Sequence, residues 1–380
     1  MFKKLVLLVF LLQCFMIYGA EIHYQEESDI FTTEDNVNPF TGKGKCEFTM
    51  DDEKYLYEGT FKDGDFCGEG KLEYTVEGKK YKYEGEFQNK NLNFVGTFYL
   101  PNGNKYKGKF IDGLLEGEGI FLQNNGNKYE GTFEKMQIEG NGTLYYANGN
   151  VYKGQFMSNK VEGIGILCFV DGNRYEGYFK DGKLNGEGTL YLTDGSSLTG
   201  EFINNDISYG TLSRKNGDSY KGYFKDYSID SQGTYYFANG NRYEGEFKDA
   251  TMNGEGTYYF ANGNRYEGPF LNGSFEGEGT FFYKNGATYK GQFKNKFMHG
   301  KGILDVPNVL KYEGEYQYNK PEGKGTIWYP NGTKFEGEFK NGVIEGKGIV
   351  TFTNGDKFEI EVKDGKFEWQ GTVYNIDATI

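Results

Sequence analysis

Apolar and polar positions alternate in short runs along most of this chain, a pattern typical of half-buried β-strands. The clearest example is the segment 233–256, GTYYFANGNRYEGEFKDATMNGEG, in which two alternating stretches flank the pair Asn239-Gly240. Because Asn and Gly tolerate the positive φ of a type I′ turn, this pair predicts a two-residue β-hairpin loop. The segment is therefore predicted to be one antiparallel hairpin.

The predicted loop fixes which side chains share a face, since successive side chains of a strand point to opposite sides of the sheet. With Asn239-Gly240 as the loop, Tyr236 lies opposite Tyr243. The uncharged face, which is the expected core, carries Tyr236, Tyr243, Gly245 and Phe247. The opposite face carries Tyr235, Phe237, Arg242 and Glu244.

The hairpin pattern repeats along the chain in fourteen copies, and thirteen of the fourteen anchor residues are aromatic, the exception being Leu198. In all copies but the last, a glycine stands two positions after the anchor. The step between anchors is 23 residues, except for 26 residues before Tyr83 and 22 residues before Tyr220. A second ring stands four residues after each anchor, except in the last copy, where Val362 takes its place. The anchors are Tyr57, Tyr83, Tyr106, Tyr129, Tyr152, Tyr175, Leu198, Tyr220, Tyr243, Tyr266, Tyr289, Tyr312, Phe335 and Phe358.

Glycines recur with the rings: one separates the two aromatic positions, and a Gly-x-Gly pair closes most copies. The separating glycine, Gly245 in the segment above, leaves room for a neighbouring ring on the backbone. A single hairpin is marginal in water, whereas stacked copies bury a continuous stripe of rings, each covering on the order of 150–250 Å². The sequence therefore predicts a solenoid-like array in which each unit is stabilised by its neighbours.

The recurring Tyr-x-Gly-x-Phe, followed by Gly-x-Gly and a turn glycine, resembles the membrane occupation and recognition nexus (MORN) repeat. The resemblance extends from about Gly42 to Gly371 and comprises about fourteen copies. It implies an all-β fold, an elongated antiparallel sheet of consecutive 23-residue hairpins, often with a groove on one face. Some relatives dimerise through their terminal repeats, which implies self-association as one form of partnership.

Three short segments lie outside the repeats. Residues 1–20 combine a basic start, an apolar run and a small-residue end, the pattern of a cleaved secretory signal peptide. An uncleaved anchor and a segment without a targeting role remain the alternatives. Residues 21–41 form an acidic leader, residues 42–371 the array, and residues 372–380 a C-terminal tail.

The period weakens between Leu198 and Tyr220, where the turn and glycine positions carry other residues: Asn204-Asn205-Asp206 and Ser208-Tyr209-Gly210. Drift in a tolerant repeat is one interpretation of this stretch. A kink or a partner site is the other.

The charge and the motif content of the sequence favour a binding function over a catalytic one. The formal net charge of −13 disfavours nucleic-acid binding. The two histidines are His23, in the leader, and His299, where other copies carry Asn or Glu; the sequence contains no phosphate-binding P-loop and no metal-ligand spacing. We therefore expect no enzyme activity, no cofactor and no metal.

The cysteines leave one question open. Cys46 and Cys67 could form a disulfide in an oxidising compartment, although their predicted positions do not obviously oppose each other. Cys168 takes the slot of Tyr236 and is expected to be a small buried side chain.

A basic residue precedes the anchor in nine copies, so that stacked hairpins would align a candidate phospholipid-facing row. Its members are Lys82, Lys105, Lys128, Arg174, Arg242, Arg265, Lys311, Lys334 and Lys357. The residue two places later shares their face and is often acidic, which favours a solvated face of mixed charge over a lipid site.

Aromatic residues of the second face are candidates to line a groove for a partner segment. They are Tyr235, Phe237, Tyr258 and Phe260. Packing against a twisted neighbouring hairpin is the alternative for these rings.

Together these observations predict a non-enzymatic scaffold or protein-interaction module, which binds protein partners or itself. The alternative is a membrane-association module that binds anionic phospholipid. The expected location is the secretory pathway or the cell exterior if the signal is cleaved, and a membrane surface otherwise.

Overall fold

The computed structural model describes residues 41–50, 53–88 and 94–363, together with the short stretches 23–25, 30–32, 366–369 and 372–375. Every regular element within these residues is a β-strand, as the repeat pattern predicts. Among them there is no helix with the length and apolar character needed to cross a membrane. The chain forms two compact units, one up to Thr193 and one from Asp194.

The first unit contains fifteen strands in the described residues. They are β1 (His23–Gln25), β2 (Ile30–Thr32), β3 (Gly42–Met50), β4 (Glu53–Lys62), β5 (Asp65–Val76), β6 (Lys79–Phe87), β7 (Phe94–Tyr99), β8 (Lys105–Ile111), β9 (Leu114–Leu122), β10 (Lys128–Glu134), β11 (Gln137–Tyr145), β12 (Val151–Met157), β13 (Lys160–Cys168), β14 (Arg174–Lys180) and β15 (Lys183–Tyr191). Strands β3 to β15 pair antiparallel in sequence order, each with the next.

The second unit continues the same arrangement. Its strands are β16 (Ser197–Ile203), β17 (Asp206–Ser213), β18 (Ser219–Lys225), β19 (Ser228–Tyr236), β20 (Arg242–Lys248), β21 (Thr251–Tyr259), β22 (Arg265–Leu271), β23 (Ser274–Phe275), β24 (Gly277–Phe282), β25 (Thr288–Lys294), β26 (Phe297–Val306), β27 (Leu310–Gln317), β28 (Lys320–Trp328), β29 (Lys334–Lys340), β30 (Val343–Thr351), β31 (Lys357–Lys363), β32 (Lys366–Trp369) and β33 (Thr372–Asn375). Neighbours in sequence pair antiparallel, except for the short β23 and β24, which both pair with β22.

The loop at Asn239-Gly240 has three residues and not the predicted two. The N–H of Phe237 donates to the carbonyl of Asn241, and the N–H of Gly240 donates to the carbonyl of Phe237, both at 2.9 Å. Gly240 has φ of 86°. A tight turn followed by a left-handed glycine is the common three-residue hairpin loop. The prediction of a type I′ turn is therefore wrong here. It failed because an Asn-Gly pair is compatible with hairpin loops of two and of three residues.

The additional loop residue shifts the strand register by one. Tyr236 pairs with Arg242, and Tyr235 pairs with Tyr243. Because a one-residue slip moves side chains to the other face of a sheet, Tyr235 lies beside Tyr243 while Tyr236 is 45% exposed. The predicted faces of Tyr235 and Tyr236 are therefore exchanged, and Cys168, in the slot of Tyr236, is exposed and not buried.

Phe237, predicted on the face of Arg242 and Glu244, lies instead beside Tyr235 on the side of Tyr243, and the other assignments of that hairpin are confirmed. Tyr243 and Phe247 are buried, and we call their side of the sheet the inner face. Arg242 and Glu244 project from the opposite side, which we call the outer face.

A true two-residue loop joins the next pair of strands, β20 and β21. Between the paired residues Lys248 and Thr251, Asp249 and Ala250 have φ of 49° and 58°. Two successive positive φ values are the signature of a type I′ turn. The same pair of positive values recurs at Lys135-Met136, Ser158-Asn159, Asn295-Lys296 and Tyr318-Asn319.

Rings of successive hairpins form a continuous core on the inner face. The ring of Tyr243 meets Phe247 of its own strand edge-on at 5.1 Å between centroids, and Phe270 of the next repeat at 4.7 Å. Tyr266 then meets Phe270 at 5.3 Å. Because each tyrosine touches one ring in its own repeat and one in the next, burial in any hairpin depends on its neighbour.

Two kinds of glycine make this packing possible. The Tyr243 ring lies on Gly245 and Gly256, which pair across the hairpin, and a Cβ on either would fall 2.5 Å from the Tyr243 hydroxyl oxygen. Gly254, the first glycine of the closing pair, has φ of 75° at the bulge between Gly245 and Phe247. The expectation that the separating glycine makes room for a ring is therefore confirmed.

An aliphatic or ring side chain after each type I′ turn completes the inner core, a row that the repeat pattern did not predict. Ile229 and Phe275 are 3% and 8% exposed. Buried members of this row are Leu115, Ile138, Val161, Leu184, Ile207, Ile229, Phe275 and Ile344.

Asparagine side chains link successive repeats at the three-residue loops. Oδ1 of Asn241 accepts the backbone N–H of Ala261 in the next loop at 2.9 Å, and Oδ1 of Asn264 accepts that of Lys284 at 2.9 Å. Corresponding links join Asn104 to Asn124, Asn127 to Ala147, Asn150 to Val170, Asn173 to Thr193, and Asp218 to Ala238. We call this series the asparagine ladder.

Strands are present in the predicted leader and in the predicted tail, on either side of the predicted array. β1 and β2, within the predicted leader, pair with each other, and β1 also pairs with β3. β33, within the predicted tail, pairs with β32. The predicted signal segment, residues 1–20, lies outside the described residues.

Candidate functional site: the outer face

Most members of the candidate basic row are held by an acid on their own strand. Nζ of Lys82 lies 2.8 Å from Glu84, Nε of Arg242 lies 3.0 Å from Glu244, and Nε of Arg265 lies 2.6 Å from Glu267. Ion pairs of the same spacing join Lys128 to Glu130, Arg174 to Glu176, and Lys334 to Glu336. The predicted face of mixed charge is therefore present, with the pairs running along a strand.

An aromatic ring of the following strand lies beneath many of these cations. The guanidinium of Arg242 stands 4.1 Å from the centroid of Tyr259, and that of Arg265 stands 3.7 Å from Phe282. The same contact joins Lys82 to Tyr99, Lys128 to Tyr145, Arg174 to Tyr191, and Lys311 to Trp328. All of these cations except Lys311 thus lie between a carboxylate and a ring, an arrangement that favours a fixed side-chain position.

Reasoning from the sequence missed these rings, although a signal for them exists. The ring follows its cation by 17 residues in all six pairs. That separation is one hairpin with a two-residue loop and a bulge, so it becomes interpretable only once the register is known.

The electrostatics of the row follow from these contacts. The hydrogen bond from Lys82, reinforced by the one from the Tyr99 hydroxyl, lowers the pKa of Glu84 below its usual value. The hydrogen bond to Glu130 raises the pKa of Lys128, and the same contact lowers the pKa of Glu130. Lys128 and Glu130 are therefore both charged at neutral pH, and their charges largely cancel.

The paired glycines form the floor of depressions on the outer face. One of about 870 Å³ in the first unit is lined by Lys107, Glu118, Ile120, Glu130, Asn141, Thr143, Lys153, Ile164 and Ile166. In the second unit, one of about 790 Å³ extends from Tyr209 to Gly268, and one of about 1330 Å³ extends from Glu267 to Lys347. Since the floor has no side chains, a bound segment would contact backbone below it and charged or aromatic side chains beside it.

The structure brings the four candidate groove aromatics together, but on the inner face and not on the predicted second face. Ring centroids are 4.6 Å apart for Tyr235 and Phe237, 5.7 Å for Phe237 and Tyr258, and 4.8 Å for Tyr258 and Phe260. All four are half-buried. We call this series the ring row.

The other candidate side chains are dispersed. Cys46 is buried and faces Tyr57, whereas Cys67 faces Thr60, and both thiols are free. Burial raises the pKa of the Cys46 thiol to about 12. His299 lies in β26, with its ring 6.1 Å from that of Tyr318. No group of acids, histidines and cysteines in the described residues could hold a metal ion.

Comparison with solved structures gives matches of low overall similarity. The TCP domain of SAS-4 from Drosophila melanogaster, in complex with a proline-rich motif of Ana2, is 12% identical over 60% of this chain and 88% of that chain, with a TM-score of 0.17. A catalytically inactive virginiamycin B lyase from Staphylococcus aureus with quinupristin is 13% identical over 66% and 89%, with a TM-score of 0.13. The comparison with curated proteins gives no match.

The family comparison agrees with the hairpins observed here. The model of the MORN repeat matches residues 57–76, 83–105, 106–128, 129–151, 152–174, 175–197, 220–242, 243–265, 266–288, 289–308, 312–334 and 335–357. These twelve matches cover more than half of the chain and omit the irregular stretch 198–219. The chain belongs to the MORN repeat family.

Proposed function

We propose that this MORN array is a non-enzymatic scaffold, a protein-interaction module that enters the secretory pathway. The observation that best supports it is the ring row Tyr235, Phe237, Tyr258 and Phe260, whose rings contact one another at tilted or edge-on angles yet stay only half-buried. Aromatic side chains held rigidly at a surface are the residues that partner proteins most often bury. MORN repeats occur in modules that bind proteins or membranes, which supports the same class of function.

Partner capture tests the scaffold. The full-length protein is cross-linked in its own cells and recovered, and the bound proteins are identified. We expect a reproducible partner set whose yield falls in the double variant Phe237→Ala/Phe260→Ala. The matched control is Tyr236→Ala, which removes an exposed outer-face ring of the same hairpin. Circular dichroism and a thermal melt establish that each variant is folded.

Two outcomes would contradict the proposal. Equal yields of bound partner from the ring-row variant and the control would show that the ring row does not contribute to binding. Recovery of the chain without any cross-linked partner or second copy would contradict the scaffold function itself. Self-association through the terminal repeats belongs to the same proposal, and sedimentation over a concentration range measures it.

Secretory entry has its own test, namely the N-terminal residue of the protein isolated from its cells. A start near Glu21 is expected if the signal is cleaved. An intact Met1 would place the protein in the cytosol or at a membrane surface.

Anionic phospholipid binding is the alternative function, favoured by the alignment of the basic row on one face. The ion pairs described above oppose it, because a neutralised cation attracts a lipid headgroup only weakly. Co-sedimentation with phosphatidylserine vesicles at low and physiological salt separates the two functions. Binding that appears at low salt and is lost in the variant Lys105→Glu/Lys311→Glu would favour the alternative.

A further inference from the structure

One aromatic pair on the outer face differs from the regular repeats. Tyr209 of β17 and Tyr223 of β18 lie directly opposite each other, with ring centroids 5.2 Å apart, and are 44% and 52% exposed. The same two positions of the next hairpins hold Gln232 and Glu246, and then Glu255 and Pro269. The pair therefore places two exposed rings in the irregular stretch, at positions where three of the four residues in the next two hairpins are polar.

The chain itself shows what an outer-face ring beside a carboxylate binds. The guanidinium of Arg174 lies 4.6 Å from the Tyr191 ring and 2.6 Å from Glu176. Arg242 makes the same two contacts with Tyr259 and Glu244. Among the described residues, no Lys or Arg stands over Tyr209 or Tyr223. These rings therefore form a site for a cation that no lysine or arginine of the described residues occupies.

Carboxylates flank the pair on both sides. Glu201 faces Tyr209 directly, and Glu246 faces Gln232 two strands beyond Tyr223. In the described part of the chain, Glu201, Glu246 and Glu255 form no ion pair. One lysine, Lys221, lines the depression of about 790 Å³ that contains the two rings. The local charge is therefore negative, which complements a cationic partner.

The dimensions favour a short extended segment. From Glu201 on β16 to Glu255 on β21 the outer face crosses five strand spacings, about 24 Å at roughly 4.8 Å each. An extended chain covers that distance with about seven residues. Glycines Gly222, Gly233 and Gly245 form the floor along this path.

We infer that the Tyr209–Tyr223 pair binds an arginine side chain of an extended partner segment laid across β16 to β21. The guanidinium stacks on the exposed rings, Glu201 accepts its hydrogen bonds, and Glu255 attracts a second basic residue of the same segment. Arginine fits better than lysine because its planar guanidinium stacks on a ring and donates to a carboxylate at once. This inference rests on the proposed scaffold function and names the chemistry of one partner.

Peptide titration of the full-length protein tests the site. The probe is a fluorescent nine-residue Gly/Ser peptide with two central arginines, and the comparison peptides carry lysine or alanine at the same places. We expect the arginine peptide to bind more tightly than the lysine peptide, and the alanine peptide not to bind. Tyr209→Ala/Tyr223→Ala should weaken arginine binding by roughly three- to tenfold. Tyr178→Ala, an exposed outer-face ring of the first unit, should leave it unchanged.

A second variant tests the charge without changing the rings. Glu201→Gln/Glu255→Gln should weaken binding, and the effect should shrink as salt is raised. Equal affinity for the arginine and alanine peptides, or equal loss in the Tyr178 control, would overturn the inference, as would preferential binding of an uncharged proline-rich peptide. If the peptides fail while cross-linking still recovers partners, the scaffold stands and only this site falls.

Discussion

Two hairpins of the second unit, one regular and one irregular, show which parts of the repeat are exchangeable. The regular hairpin, β20–β21, places Tyr243 on Gly245 and Gly256. In the irregular hairpin, β16–β17, Leu198 replaces that tyrosine. The space over Gly200 and Gly210 is taken instead by Ile207, whose Cδ1 would lie 2.9 and 2.8 Å from an added Cβ.

The comparison shows that the inner-face core stays filled in both hairpins, although the residues that fill it differ. Ile207 and Leu198 are 0% and 4% exposed, so the core remains closed where the anchor ring is lost. The outer face changes character at the same place, since the irregular hairpin carries Ser197 and Tyr209 where the regular one carries Arg242 and Glu255. Folding therefore constrains the buried side chains of the inner face, whereas the outer-face side chains change without opening the core.

The largest expected effect concerns the buried phenols, which the irregular hairpin lacks at its anchor. Burial raises the pKa of Tyr220 to about 12 and raises the pKa of Tyr243 above its usual value. Because these phenols hold their protons more tightly when folded than unfolded, stability is complete below the usual tyrosine pKa of about 10 and falls as the pH rises above it. Denaturant titration from pH 8 to 12 should show this loss. Tyr243→Phe should make the free energy of unfolding fall less steeply with pH, whereas Tyr236→Phe should leave this dependence unchanged.

Truncation of the second ring should be costly in both hairpins. Phe247 and Phe202 are 5% and 0% exposed, and Phe247→Ala or Phe202→Ala should each lower local stability by about 3–5 kcal/mol. Hydrogen exchange of the affected strands measures this loss. An unchanged exchange rate in β16 for Phe202→Ala would show that the irregular hairpin is not held by its inner face.

Filling the space beneath the anchor ring should cost less. The added Cβ of Gly256→Ala would meet Cε2 and the hydroxyl oxygen of Tyr243 at 2.5 Å, which should destabilise the protein by roughly 1–3 kcal/mol. Gly286→Ala is the control, since nothing lies within 4 Å of its Cβ and only its φ of 90° opposes the change. A melting temperature lowered more by Gly286→Ala than by Gly256→Ala would contradict the steric argument.

A substitution toward the repeat pattern should stabilise. Ser231 stands where most copies have the first glycine of the closing pair, and its φ is 58°. Ser231→Gly should raise stability by about 0.5–1 kcal/mol because glycine adopts this conformation without side-chain strain. The reverse exchange, Gly254→Ser, should lower stability by a comparable amount, and chemical denaturation compares the two.

The smallest effect should come from the outer face. Glu244→Gln removes the ion pair with Arg242 and should change stability by a few tenths of a kcal/mol. A loss of stability as large as that of Gly256→Ala would mean that outer-face ion pairs contribute substantially to folding. The outer face would then be less free to vary than the two hairpins indicate.

The sequence was sufficient to predict the all-β array because its strongest signals are local. The spacing from Tyr243 to Phe247 places both rings on one face, and the intervening Gly245 predicts the contact with the ring. The acid two residues after Arg242 likewise predicted the mixed charge of the outer face. Each inference required only the alternation of a strand.

The errors arose where several loop geometries suit the same residues. Asn239-Gly240 is compatible with loops of two or three residues, and the choice decides the faces of Tyr235 and Tyr236. The rings under the basic row depend on the same register. The asparagine ladder was invisible for a different reason, because Asn241 and its partner Ala261 belong to different repeats and each resembles an ordinary turn residue.

The asparagine ladder also determines how such a protein can change in length. Each link spans 20 residues and joins one loop only to the next, so duplicating or deleting a whole copy leaves every other link with an equivalent partner. An insertion of a few residues, in contrast, would misalign the acceptor and the donor at that point. Gene duplication in steps of one repeat is therefore the evolutionary path that this architecture tolerates best.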